Sequence, residues 1–300
     1  MNINHVGGRD MGVADAISLS LSNALLHHST TLKTLNLSCV EGLTIAGWNS
    51  IMQRIGDCAL LENLDLSMNG ITDENIAALT NALVNNRSLR EINLSLIGGV
   101  SEAGCTAFSA LLRNPESVLE IIDLSCNSVN DEVMQSFLDA LVNNTKLKEF
   151  NVRMTSISSN GFAAFIHLLC NSTSIVTTYQ SNHIIEKLWK KNDDDYDDDD
   201  LDDDPDDERN NTTLPEDLMN LLRLNKENSP NEAARLKIIN THFSGSEINM
   251  QPFMEINFSV RSHAIAWMAK DMHLYELLRA MPSLLERIDE NVRSTKRLRS

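Results

Sequence analysis

Few side chains in this 300-residue sequence are spaced for catalysis, and each such set has a plain structural alternative. The one histidine pair, His27-His28, could ligate a metal, but it closes an apolar helical stripe, where imidazoles serve the helix dipole and the turn. Five cysteines, Cys39, Cys58, Cys105, Cys126 and Cys170, are odd in number and form no C-x-x-C pair, so they read as free thiols in a reducing compartment. Gly98-Gly99 is too short a cradle for a phosphate and reads as a bulge. The run Asp193 to Glu208 holds 13 acidic residues and could attract cations or a basic partner, yet like charges with almost nothing to bury read first as a disordered linker. No phosphate-loop, serine-hydrolase, zinc-protease or dinucleotide motif occurs, so the chain is read as non-enzymatic, with no catalytic residue, cofactor or metal assigned.

The chemistry left is recognition. Polar side chains recur beside repeated leucines in three columns: Thr34, Asn63, Glu91, Ile121 and Glu149; then Asn36, Asp65, Asn93, Asp123 and Asn151; then Ser38, Ser67, Ser95, Ser125 and Arg153. On neighbouring parallel strands such columns become rungs about 4.8 Å apart, a polar sheet surface on the order of 20 Å wide. The candidate partner-binding residues are therefore Asn63, Asp65, Glu91, Asn93, Ile121, Asp123, Glu149, Asn151 and Arg153. Glu91, Ile121, Glu149 and Arg153 depart from the repeated wording and are where specificity is expected.

The elements that must position these columns are short strands in a repeat. An L-x-x-L-x-L pattern begins at Leu32, Leu61, Leu89, Leu119 and Leu147 and more faintly at Ile175, at intervals of 29, 28, 30, 28 and 28 residues. A fixed period of that size marks a stack of similar units. Each strand wording is followed by an apolar set at helical spacing, such as Ile76, Leu79 and Leu83, or Met134, Phe137 and Leu141. Thr72-Asp73-Glu74, Ser101-Glu102 and Asn130-Asp131-Glu132 supply helix starts, while Asn85-Asn86, Asn114-Pro115 and Asn143-Asn144 supply ends.

The L-x-x-L-x-L cores and the ninth-position asparagines of Leu61 to Asn69 and Leu119 to Asn127 make the chain resemble the leucine-rich repeat family, in particular its ribonuclease-inhibitor-like subfamily. The resemblance implies an α/β solenoid, a curved horseshoe with parallel strands on its concave face and helices on its convex face, docking a protein partner on the strands. The ninth position is Val40, Ile97, Thr155 and His183 in the other units, so turn regularity is expected to suffer there. Repeats followed by an acidic stretch also resemble the GTPase-activating proteins for the nuclear-transport GTPase, which gives a regulator of GTP hydrolysis as the alternative. His263-Ala-Ile-Ala-Trp267 and Met281-Pro-Ser-Leu284 resemble the tail of uncharacterised algal repeat proteins, a likeness that carries no function.

Five domains are expected: a partial repeat or N-terminal cap at 1–31, repeats at 32–191, the acidic linker at 192–213, a helical segment at 214–291 and a basic tail at 292–300. Leu218, Leu221 and Leu222 share a helical face, and Ser229-Pro230 opens a second helix, so the segment is expected to cap the last repeat. With 42% hydrophobic and 5% aromatic residues the core is aliphatic. Net charge is −17, but outside the acidic run 29 acidic residues face 25 basic ones, close to neutral and without the basic stripe that nucleic acid requires. No signal peptide or long apolar run is legible, so the expectation is a monomeric cytoplasmic protein off the membrane, with the nucleus open through the basic end Lys296, Arg297 and Arg299.

Overall fold

The computed structural model describes residues 11–40, 42–189 and 214–242. Its centre is a six-stranded, all-parallel open sheet in the order β1 to β6: Thr34–Asn36, Asn63–Asp65, Glu91–Asn93, Ile121–Asp123, Glu149–Asn151 and Lys187–Trp189. Register is strictly in phase, with Thr34 opposite Asn63, Asn63 opposite Glu91, and so on to Glu149 opposite Lys187. Alternation on a three-residue strand turns only the middle side chain inward, and those six, Leu35, Leu64, Ile92, Ile122, Phe150 and Leu188, are all buried. The repeated architecture is that of a leucine-rich repeat solenoid.

Between strands run α1 (Met11–His28), α2 (Ile45–Gly56), α3 (Asp73–Leu83), α4 (Glu102–Arg113), α5 (Asp131–Leu141) and α6 (Ser159–Leu169), each packed on the next. Their buried faces follow the apolar spacing, with Trp48, Ile51, Met52 and Ile55 on α2 and Met134, Phe137, Leu138 and Leu141 on α5. Among the described residues no helix is long and apolar enough to cross a membrane.

Helix starts are shared between units. Asp73, at the start of α3, accepts from the backbone N–H of Ser101 (2.7 Å), the N-cap of α4, and Asp131 of α5 accepts likewise from Ser158 of α6 (2.8 Å). A carboxylate near one N-terminus thus fixes the next cap. Gly104 makes room for this, since a Cβ there would lie 2.3 Å from Asp73 Oδ1.

The helix exits use a second asparagine device. The side-chain oxygens of Asn86, Asn144 and Asn182 accept from the backbone N–H groups two and three residues on, at 2.8 to 3.1 Å. The amides of Asn114, Asn144 and Asn182 donate back to carbonyls of the preceding unit, at Val84, Leu112 and Leu141.

One expectation is overturned. Ile175 does not begin the sixth strand: Ile175–Tyr179 is the short helix α7, capped by Ser174, whose hydroxyl accepts from Thr177 N–H. The fourth and sixth places of that wording are Thr178 and Gln180, which offer a sheet no apolar inward face. The sixth unit begins instead at Ile185, after ten further residues, and brings Leu188 to the buried place. His183 is accordingly not a ninth-position residue.

The chain divides into two compact units, Met1–Cys170 with Ser181–Pro230, and Asn171–Gln180 with Asn231–Ser300. In the first, α8 (Glu216–Glu227) packs on α6 and beside β6, burying Leu218 and Leu222, while the Asn225 amide donates to the Ile185 carbonyl (2.7 Å). Helix α8 therefore stacks on α6 as each earlier repeat helix stacks on its predecessor. In the second unit α9 (Pro230–His242) buries Ala233, Ala234 and Ile238, and Thr178 Oγ1 lies 2.9 Å from His242 Nε2. The first ten residues of the expected partial repeat or N-terminal cap, the acidic run and the segment beyond 242 lie outside the described residues.

Candidate partner-binding surface

The strand face is built from columns one unit apart, whose side chains hydrogen-bond to neighbouring repeats and to the backbone at their own strand ends. The residue after each first leucine alternates in charge along the whole sheet: Lys33, Glu62, Arg90, Glu120, Lys148, Glu186. Lys33 pairs with Glu62 at 2.8 Å, and Glu120 accepts from both Arg90 and Lys148, the latter at 2.9 Å. The hydrogen bond from Lys148 first, then Arg90, holds the Glu120 carboxyl below the ordinary carboxylate range.

A carboxylate held low when folded stabilises above its unfolded pKa and loses that contribution as pH falls through the folded value. Both basic partners are about half exposed, so solvent screening keeps the effect small. Glu120→Gln is expected to lower stability by about 0.5–1 kcal/mol near neutral pH. The difference from the parent should close below about pH 4, and paired denaturant titrations at the two pH values check it.

The middle column is equally committed. Asn36 donates to Asp65 (3.1 Å) and Asn151 to Asp123 (2.8 Å), so the Asn/Asp alternation places a donor beside an acceptor where two carboxylates would repel. Each of the column's five residues, Asn93 included, also accepts the backbone N–H two residues on: Ser38, Ser67, Ser95, Ser125 and Arg153. Asp65, Asn93, Asp123 and Asn151 therefore shape the turn as the strand ends. In the first column Asn63 donates to Glu91 (2.7 Å), which leaves half-buried Ile121 and Glu149 as the neighbours on its far side. At the end of β5 the serine column gives way to Arg153, whose Nε is buried without a hydrogen-bond partner.

The ninth-position asparagines explain why their absence elsewhere is tolerated. Asn69 donates to the carbonyls of Leu66 and Ser67 in its own unit and to Leu37 in the unit before, and accepts the Val40 N–H at 2.8 Å. Asn127 repeats this with Leu124 and Ser125, then Leu94 and the Ile97 N–H. One asparagine serves two turns, so Val40 and Ile97 are free to be core residues, and both are buried.

The remaining sequence candidates for chemistry are placed as follows. Cys58 and Cys105 are buried, and burial pushes the Cys105 thiol up to about 11, far from a reactive thiolate. Among the described residues no group of three or more His, Cys, Asp or Glu side chains is placed to hold a metal. A polar cleft of about 490 Å³ lies at the C-terminal ends of α4 and α5, lined in part by Arg113, Asn114, Asp139 and Lys146.

Comparison with known proteins agrees with the repeat. A family model described as Leucine Rich repeat matches residues 57–79, from the end of α2 through β2 into α3. NACHT, LRR and PYD domains-containing protein 5 of Mus musculus is 27% identical over 167 residues, 54% of this chain and 14% of its own length. The chain thus spans about a seventh of that relative. Among solved structures, the Caenorhabditis elegans tropomodulin C-terminal domain aligns at a TM-score of 0.40 and 13% identity, covering 74% of this chain and 98% of that one. Leiomodin-1 actin-binding site 2 aligns at 0.37 and 14%, covering 50% and 81%.

Proposed function

We propose that this chain is a non-catalytic protein-interaction module that takes a protein partner on its strand face, through Glu91, Ile121, Glu149 and Arg153. The carrying observation is Arg153. The asparagines and aspartates of the middle column are taken up by bonds to neighbouring repeats or to the backbone at their own strand ends, whereas the Arg153 Nε is buried without an acceptor. A buried donor left unsatisfied is unfavourable by about 1–3 kcal/mol, and a partner carboxylate that draws the guanidinium outward at the end of β5 would relieve it. Ile121 beside Glu149 adds an apolar spot within an acidic one. The leucine-rich repeat family match supports an interaction role. The alternative, a GTPase regulator, rests on the acidic run beyond β6 and draws nothing from the strand face.

Affinity capture with the intact chain against Glu91→Ala/Glu149→Ala/Arg153→Ala tests this reading. A partner retained by the parent and lost at least tenfold from an equally stable variant is the expected result. Retention by both removes the strand face from the account.

A further inference from the structure

Three residues beyond the end of each of β1 to β5 stands a residue whose backbone is left-handed: Cys39, Met68, Leu96, Cys126 and Met154, with φ between 52° and 58°. The conformation is enforced by the sheet. In the first four, the N–H of this residue donates to the next unit's carbonyl, at Ser67, Ser95, Ser125 and Arg153, at 2.9 to 3.1 Å, extending the ladder one step past the strand. Glycine or asparagine would take such a backbone with little strain. This chain instead places a sulfur-bearing or aliphatic side chain there in every one of five units.

Burial does not compensate that strain. Met68, Leu96 and Met154 are 54%, 46% and 60% exposed, and Cys39 and Cys126 are half-buried. Two neighbouring pairs touch along the stack: Cys39 Sγ lies 3.4 Å from Met68 Sδ, and Cys126 Sγ lies 3.6 Å from Met154 Sδ. With Leu96 between the two pairs, the result is an apolar ridge one residue wide, with one side chain from each of five units. Strain held at a set of exposed apolar positions points to recognition, and methionine is the side chain that adapts best to a varied apolar surface.

Charge and spacing define the occupant. Three places before the second and fourth ridge residues stand Asp65 and Asp123, and six places after the second, third and fourth stand Glu74, Glu102 and Glu132, all three exposed. Glu102 and Glu132 crowd each other, and the hydrogen bond between them, with their repulsion, raises the Glu102 carboxyl. A cation beside them would relieve this. Rungs lie about 4.8 Å apart, close to the 5.4 Å rise of one α-helical turn, so a helix laid along the ridge meets about one rung per turn. Five rungs, on the order of 19 Å, match about 13 helical residues.

We infer that the ridge Cys39, Met68, Leu96, Cys126 and Met154 is a docking site for an amphipathic helix with an apolar stripe and a Lys/Arg-rich polar face. The inference goes beyond the strand-face reading and stands or falls apart from it. The probe is a fluorescein-labelled 14-residue Leu/Lys peptide with leucines at i, i+3, i+4 and i+7, set against a scrambled peptide of the same composition, with the full chain as receptor. The amphipathic peptide is expected to bind at least tenfold more tightly than the scrambled one. Met68→Asn/Leu96→Asn/Met154→Asn should weaken it at least tenfold while the unfolding midpoint holds or rises, because asparagine tolerates the left-handed backbone. Glu149→Ala/Arg153→Ala should leave peptide affinity unchanged, which separates the two surfaces. Equal binding of both peptides, which charge alone would produce, or undiminished binding by the triple variant overturns the inference.

Discussion

Asn69→Ala is expected to lower the stability of the repeat stack by about 4 kcal/mol, far more than the loss of any single hydrogen bond on the strand face. Its side chain answers four backbone groups in two units: it accepts from Val40 N–H and donates to the carbonyls of Leu37, Leu66 and Ser67. The residue is buried, so water cannot take over those groups without opening the turn. Each buried group left unsatisfied is unfavourable by about 1–3 kcal/mol, and the carbonyls, with a second lone pair, lie at the low end. Asn69→Asp should be nearly as damaging, because a carboxylate retains the Val40 bond but faces three carbonyls without a donor. Asn63→Ala, in the same unit as Asn69, removes one exposed hydrogen bond to Glu91 of the next unit; it is the control and should fall within about 0.5 kcal/mol of the parent. Denaturant midpoints of the three variants decide the matter. A loss below about 1 kcal/mol for Asn69→Ala would mean that the two-turn bonding does not hold the stack in solution.

Bonds of this kind also mark where the sequence stops being legible. The period, the buried L-x-x-L-x-L places and the starts of α3, α4 and α5 at Thr72, Ser101 and Asn130 can be read because each is a property of one unit. Bonds between units cannot. Asn69 reaches Leu37 across 32 residues, and nothing in a single repeat shows that one asparagine serves two turns. The same blindness affects the candidate surface: Asp65, Asn93, Asp123 and Asn151 look available in the sequence, and each caps its own strand end in the fold. Glu91, Ile121, Glu149 and Arg153, the departures from the repeated wording, are not absorbed this way, and of these Glu91 accepts from Asn63. The misplaced sixth strand has a different cause. A fixed period cannot register an insertion of ten residues, although Asn182-x-x-Ile185-x-x-Leu188 repeats the wording of Asn144-x-x-Leu147-x-x-Phe150. With that start, Glu186 completes the alternating charge column, so the sequence carries a second mark of the true register.

The placement of β6 bears on how the stack comes apart. Phe150, central in β5, is fully buried and lies against Phe137 of α5, ring centroids 5.3 Å apart. Phe150→Ala removes the only aromatic ring among the six inward strand residues, and a phenylalanine truncation in a core destabilises by about 3–5 kcal/mol. In a stack whose units touch only neighbours, that loss stays local. In the sheet β6 is joined only to β5, and α8 packs on α6 and β6, so both depend on the unit that Phe150 centres. Phe150→Ala should therefore unfold in two stages, with amide protection lost first in β5, β6 and α8 and kept in α2, β2 and α3. Loss of protection at one denaturant concentration throughout would show instead that the units are coupled strongly enough to fail together, and that β6 with α8 is as firmly built into the stack as any inner repeat.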